Sequence, residues 1–174
     1  MFKILTIQDS VFEWGRAFRL MEIEALGVDV PIPVYVDNAD IFAEGDFIDA
    51  EKVDTMVVYV DSKKVIYPRL INASKSSDEE IVSLQPKFYG AIQKKNTDSD
   101  VILHVGVNGR SFYRAGVCAK GWGDVYYRIP VFAYGKEALR LQSLQQGDKA
   151  LFQTRLYKDI RNGFSYRVES ITVS

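Results

Sequence analysis

Four short motifs occur twice in this chain, in the same order and at separations of 94 to 102 residues. In chain order, the pairs are Gly15-Arg16-Ala17-Phe18 with Gly109-Arg110-Ser111-Phe112, Ile32-Pro33-Val34-Tyr35 with Ile129-Pro130-Val131-Phe132, Gly45-Asp46 with Gly147-Asp148, and Tyr59-Val60-Asp61 with Tyr157-Lys158-Asp159. A repeat of this period predicts two copies of one small domain. The alternative is chance similarity between two β-rich stretches.

The local pattern predicts a mainly β protein, because short runs rich in Val, Ile, Tyr and Phe alternate with Gly, Asn and Asp. Five strands are expected in each half. They are Phe2–Ile7, Ala17–Ala25, Pro31–Val36, Thr55–Val60 and Val65–Ile71, then Val101–Val107, Ser111–Lys120, Tyr126–Ala133, Ala150–Tyr157 and Phe164–Val173. A chain of 174 residues has room for two five-stranded barrels of this size.

The segment between the two sets of strands has features of a helix. Ser77 is a candidate N-cap with Glu80 three residues later, and apolar residues follow at helical spacing up to Ile92. Pro86 interrupts the pattern and should break or kink the helix. The expected organisation is an N-terminal barrel at 1–75, a helical connector at 76–97 and a C-terminal barrel at 98–174.

Composition excludes several classes of protein. With 47% apolar and 26% charged residues, the chain should fold as a globular protein. No apolar run approaches the roughly 20 residues of a membrane-spanning helix, and the N-terminus lacks a secretion signal. The single cysteine, Cys118, and the single histidine, His104, predict neither a disulfide nor a zinc site. The cytoplasm is the expected location, without membrane association.

Charge is unevenly distributed between the halves. Residues 1–75 carry 8 basic and 13 acidic side chains, a net charge of −5, whereas residues 98–174 carry 11 and 7, a net charge of +4. A cationic excess of this size fits either a nucleic-acid-binding face or scattered surface lysines. Charge by itself therefore favours the second half as a binding domain without deciding its ligand.

Residues 99–174 contain an ordered set of motifs that resembles a known family. The set begins with aromatic and polar residues at the start of a strand, Tyr126-Tyr127-Arg128. An apolar run, Phe132 and Gly135-Lys136 follow. A short helix, Glu137–Leu144, a Gln-Gly-Asp turn and an Arg-x-Tyr-x-Asp hairpin at Arg155–Asp159 follow. This order resembles the bacterial single-stranded-DNA-binding proteins, whose fold is the five-stranded oligonucleotide-binding (OB) barrel. The first half resembles the family only through the internal repeat.

The resemblance implies sequence-tolerant binding of single-stranded DNA, with RNA as an alternative ligand, through aromatic rings that stack on bases and cations that contact phosphates. The implied aromatic positions are Trp122, Tyr126, Phe132 and Tyr157, and the implied cationic positions are Arg110, Lys120, Arg128, Lys136, Lys158 and Arg161. Burial in the barrel core is the competing interpretation of the rings, above all for Phe132.

The family also implies a role in DNA replication, recombination or repair, and a homodimer that brings four barrels together. Its flexible acidic C-terminal tail has no counterpart up to Ser174. Two barrels on one chain, the first more acidic, are expected of a specialised version from a phage, a plasmid or a duplicated lineage. No phosphate loop, nucleophile elbow or metalloprotease motif is present, so neither an enzyme nor a cofactor is expected. The alternative function is a protein-interaction module built on the same barrels.

Overall fold

A computed structural model describes residues 1–13, 15–94, 104–105, 111–120, 126–159 and 163–173. The polypeptide divides after Pro86 into two units, Met1–Pro86 and Lys87–Ser174. Each unit is described below by itself. Among the described residues, no helix has the length and apolar character required to span a bilayer.

The first unit is a closed five-stranded barrel in the order β1-β2-β3-β5-β4. Its strands are β1 Phe2–Glu13, β2 Arg16–Ala25, β3 Val28–Asp37, β4 Phe47–Val60 and β5 Lys63–Lys75, with a short 3-10 helix Ala39–Ile41 between β3 and β4. Within its described residues, β3 and β5 are the one parallel pair. Alternate residues such as Ile32, Val34 and Leu70 are fully buried and form the interior of the barrel.

The second unit repeats this arrangement. Its elements are β6 Lys87–Gln93, β7 His104–Val105, β8 Ser111–Lys120, β9 Tyr126–Tyr134, α1 Gly135–Ser143, β10 Lys149–Asp159 and β11 Gly163–Val173. The strand β6 pairs with both β8 and β10, which closes the sheet, and β9 and β11 form its parallel pair. Strand pairing in the two units is therefore the same, and the expectation of a mainly β fold with tandem OB-type barrels is confirmed.

One repeated motif has the same hydrogen bonds in both barrels. Gly45 donates its amide to the carbonyl of Ile4 (2.8 Å), and the carbonyl of Asp46 accepts the Ile4 amide (2.9 Å). In the second barrel, Gly147-Asp148 makes the same two bonds with Ile92, at 3.0 and 2.7 Å. The glycines have φ values of 91° and 90°, a region that only glycine occupies without strain. The Gly-Asp turns therefore occupy equivalent positions.

The predicted helical connector is wrong. Residues 78–86 contain no helix, and Lys87–Gln93 is the first strand of the second barrel, so that barrel begins before residue 98. Phe88 and Ile92 are both buried, as the pattern expected, but they lie on one face of a strand. A spacing of four residues is close to one turn of a helix. It is also an even number, so it equally places two residues on the same face of a β-strand. The apolar positions alone could not distinguish the two structures.

Candidate nucleic-acid interface

The outer face of the second barrel is formed by alternate residues of its strands. In β9, Tyr127, Ile129, Val131 and Ala133 point into the barrel and are buried. The intervening residues of β9 and their partners on β8 therefore point away from the core. The outer positions of these two strands are Phe112, Arg114, Gly116, Cys118 and Lys120 on β8, and Tyr126, Arg128, Pro130, Phe132 and Tyr134 on β9.

Four aromatic side chains on this face form what we term the ring cluster: Phe112, Phe132, Tyr134 and Tyr157. Phe112 lies 5.1 Å from Tyr134 and 6.1 Å from Phe132, measured between ring centroids. Phe132 contacts Tyr134 edge-on at 5.7 Å and Tyr157 at 6.3 Å. All four rings are partly exposed. The cluster therefore presents aromatic surface from β8, β9 and β10 to the solvent.

Two arginines lie against the ring cluster. The guanidinium carbon of Arg114 is 5.2 Å from the centroid of Phe112. That of Arg167 is 5.1 Å from the centroid of Tyr134 and 5.9 Å from that of Tyr157. These distances are within the range of cation-π interactions. Positive charge and aromatic surface are thus combined in one area.

A third arginine, Arg155, pairs across the β10–β11 hairpin with Arg167. Its Nε lies 3.1 Å from a carboxylate oxygen of Glu169, and both side chains are about one-third exposed. Partly exposed ion pairs of this kind contribute little to stability. Arg155 and Glu169 therefore form an ion pair beside Arg167.

A second group of residues lies at the other end of β8 and β9. Lys120 pairs with Tyr126, and both side chains are exposed. Arg128 lies directly over Gly116, where a Cβ atom would be only 2.1 Å from the Arg128 Nε. This Nε has no hydrogen-bond partner among the described residues, and burial lowers the pKa of the guanidinium. The absence of a side chain at Gly116 lets Arg128 lie flat on the sheet.

The structure divides the residues expected from the sequence into four sets. Phe132 and Tyr157 belong to the ring cluster, whereas Lys120, Tyr126 and Arg128 form the second group. Lys136 is exposed in the first turn of α1, and Lys158 is exposed on β10, where alternation directs it away from the face that carries Tyr157. Three further candidates, Arg110, Trp122 and Arg161, lie outside the described residues.

Sequence reasoning missed five members of this face, namely Phe112, Arg114, Tyr134, Arg155 and Arg167. A period-of-two analysis could have found Tyr134, which lies two residues after Phe132 on the same strand. It could also have placed Phe112 and Arg114 together on β8. The positions of Arg155 and Arg167 depend on how β10 and β11 pair with the rest of the barrel. No local sequence pattern predicts that pairing.

Strand register identifies the equivalent positions of the first barrel. Tyr35 on β3 lies beside Arg69 on β5, which lies opposite Asp54 on β4. In the second barrel, Phe132 lies beside Arg167, which lies opposite Arg155. The antiparallel partners of Tyr35 and Phe132 are Leu20 and Arg114. At these four matched positions, the first barrel has Leu20, Tyr35, Arg69 and Asp54. The second barrel has, in the same order, Arg114, Phe132, Arg167 and Arg155.

The same register corrects one of the repeated motifs. Tyr157 lies two residues after Arg155, so its counterpart is Met56, two residues after Asp54, and not Tyr59. The β4–β5 hairpin continues six residues past Asp54 to Val60, whereas β10 ends four residues past Arg155. The sequence comparison aligned the hairpin tips, but the two hairpins differ in length.

The fold has known relatives, although no family model and no curated protein matches the sequence. The structure of wild-type single-stranded DNA binding protein from Thermus aquaticus superposes with a TM-score of 0.64 and 18% identity, over 99% of this chain and 91% of that one. A deletion mutant of the same Thermus protein, carrying R190A, gives 0.67 and 17% over the same shares. The chain thus has the fold of this protein over both barrels, as the motifs predicted.

Proposed function

We propose that this protein binds single-stranded DNA through the outer face of its second barrel. The observation that carries the proposal is the ring cluster with Arg114 and Arg167 placed against it. Unpaired bases expose π-faces and a charged backbone together, so a ligand of this kind needs partly exposed rings and cations on one surface. The fold shared with the Thermus protein, which is named for this activity, supports the same ligand.

The arrangement favours binding without strong sequence preference. Every base has a face that can stack on a ring, and each stacked base contributes roughly 1–3 kcal/mol. The arginines Arg114, Arg155 and Arg167 would contact phosphates, whose recognition is independent of sequence. Lys120, Tyr126 and Arg128 would continue the binding surface along β8 and β9. Arg110, Trp122, Lys136, Lys158 and Arg161 are further proposed contacts, of which Lys158 would reach the strand from outside this face.

We further propose that the protein acts in DNA replication, recombination or repair, where single strands arise, and that it is a cytoplasmic binding protein without enzymatic activity. RNA is a second possible ligand because neither stacking nor phosphate contacts distinguish the sugars. A protein-interaction role without nucleic acid is the alternative that the binding experiment below would reveal.

We also propose a homodimer. Tyr89 and Leu151 pair directly across β6 and β10, and they are 52% and 37% exposed. A second copy of the chain would cover this apolar pair and bring four barrels into one assembly. Sedimentation at micromolar concentration should give twice the chain mass. A monomer at that concentration would argue against the dimer.

Titration of labelled oligo-dT, followed by fluorescence anisotropy at several salt concentrations, tests the proposed ligand. Binding should weaken with salt because cations on the protein replace counterions on the strand. Arg114→Ala should lower affinity and reduce the salt slope by about 0.7 per lost phosphate contact. The matched control is Arg140→Ala, which removes an exposed arginine from α1 of the same barrel.

Two outcomes would contradict the proposal. Failure of the unmodified protein to bind oligo-dT at low salt would remove single-stranded DNA as the ligand and favour the protein-interaction alternative. Equal loss of affinity in Arg114→Ala and Arg140→Ala would indicate general electrostatic attraction rather than a defined face. A parallel titration with oligo-U measures the preference between DNA and RNA.

A further inference from the structure

We propose that the outer face of the first barrel is a closed copy of the same site, so that the chain holds nucleic acid through its second barrel alone. This inference rests on the proposed function and concerns which barrel performs it. The positions that form the ring cluster have counterparts in the first barrel, and their surroundings differ in three ways.

The first difference is the burial of the equivalent rings. Phe18, Tyr35 and Met56 occupy the positions of Phe112, Phe132 and Tyr157 and form a buried cluster. The three counterparts in the second barrel are partly exposed. A base can stack only on a ring face that solvent can reach. The first barrel therefore uses these positions for packing.

The second difference lies in the residues around the cluster. Leu20 and Tyr67 pack against Phe18, Tyr35 and Met56. Strand register places Arg114 at the position of Leu20, since these are the partners of Phe132 and Tyr35. It places Ser165 at the position of Tyr67, since these lie opposite Tyr157 and Met56. In the first barrel, the large side chains of Leu20 and Tyr67 therefore cover this face. In the second barrel, Arg114 and Ser165 occupy the same positions and leave the face open.

The third difference lies in the partners and burial of the matched arginines, Arg69 and Arg167. Arg69 donates Nε and an Nη hydrogen to the two carboxylate oxygens of Asp54, at 2.8 and 2.7 Å. Its side chain is only 4% exposed, and that of Asp54 is 14% exposed. Arg167 faces Arg155 at the corresponding position. The first barrel neutralises and buries its arginine, while in the second barrel an arginine takes the place of Asp54 and forms its ion pair with Glu169 instead.

The closed face predicts one strand-binding site per chain. The experiment uses the full-length protein and labelled oligo-dT, with two double variants of equal charge change. Arg114→Ala/Arg167→Ala should lower affinity at least about tenfold, because both cations lie on the proposed face. Arg16→Ala/Arg19→Ala removes two partly exposed arginines of the first barrel and should leave affinity within about twofold. Thermal melting of both proteins checks that each remains folded.

Ultraviolet crosslinking of bound oligo-dT gives an independent readout. Crosslinked peptides should come from residues 111–167 and not from residues 1–75. If the unmodified protein binds but Arg16→Ala/Arg19→Ala weakens binding as much as the other pair, or if crosslinks form at Tyr35 or Tyr67, the closed-copy inference is wrong and the proposed function stands. If the unmodified protein does not bind oligo-dT, the proposed function fails and this inference fails with it.

Discussion

Asp54 and Arg155 occupy the same position in the two barrels and carry opposite charge. Each lies across a hairpin from an arginine, Asp54 from Arg69 and Arg155 from Arg167. The first arrangement gives a two-point ion pair that is almost completely buried. In the second, Arg167 lies against the partly exposed rings of Tyr134 and Tyr157, and Arg155 pairs with Glu169. One difference in charge thus accompanies the difference between a packed face and an open one.

Asp54→Ala should destabilise the first barrel by about 3–5 kcal/mol, because it removes the two-point ion pair of the buried Arg69. Arg155→Ala should cost less than about 1 kcal/mol, because the side chains of its ion pair with Glu169 are about one-third exposed. Calorimetric melting of the two variants measures both effects. Similar losses of stability would contradict the assignment of one face as closed and the other as open.

Tyr157→Ala should weaken oligo-dT binding by about 1–3 kcal/mol with little change in melting temperature, since its ring is partly exposed in the ring cluster. Leu139→Ala, which removes an exposed apolar side chain from α1 of the same barrel, is the control and should bind normally. A large loss of stability in Tyr157→Ala would instead identify the ring as core, where truncation costs roughly 3–5 kcal/mol. Normal melting with normal binding would remove Tyr157 from the site.

Gly116→Ala should reduce binding by the same factor as Arg128→Ala, because its methyl group would displace the Arg128 guanidinium. The double variant should bind no worse than Arg128→Ala alone, since the two changes remove the same contact. Gly90→Ala provides a contrast. There the added Cβ would lie 2.5 Å from the Cys118 carbonyl oxygen, so the backbone must move and stability should fall. Additive binding losses would show that Gly116 does not position Arg128.

Gly45→Ala and Gly147→Ala should destabilise their barrels by similar amounts, about 1–2 kcal/mol each, because both positions require a left-handed backbone. Open space surrounds both glycines, so strain and not collision causes the loss. Chemical denaturation, followed with probes in each barrel, measures the two effects. A marked inequality would indicate that the Gly-Asp turns do not have equivalent roles.

Much of the fold could be predicted from local patterns. The strand Ser111–Lys120 was predicted with the bounds that the structure gives, and the Gly45-Asp46 repeat correctly identified equivalent turns. The strand Lys87–Gln93 was taken for a helix, since apolar residues four apart satisfy both periods. Its pairing with β8 and β10 resolves the ambiguity, and the pairing with β10 joins residues more than 50 positions apart.

About half of the proposed face could be predicted in the same way. Tyr157 was expected as a stacking ring because it matches a motif of the resembling family, whereas for Phe132 both stacking and burial in the core were open. The structure brings the two rings into contact. Arg167 was not expected, because nothing near it in sequence indicates that it faces Tyr134. The ring cluster is assembled from β8, β9 and β10, with Arg167 of β11 against it, and only the register of these strands determines which side chains meet.

The sequence by itself determined that this chain forms two similar β-barrels, because motif order, alternation and turn glycines are local properties that survive in each copy. Only the tertiary structure decided which copy keeps an open face. That outcome depends on contacts between strands distant in sequence, where Leu20, Tyr67 and Asp54 cover and neutralise one face and Arg114, Ser165 and Arg155 leave the other exposed. Burial and charge pairing arise only when those strands are side by side.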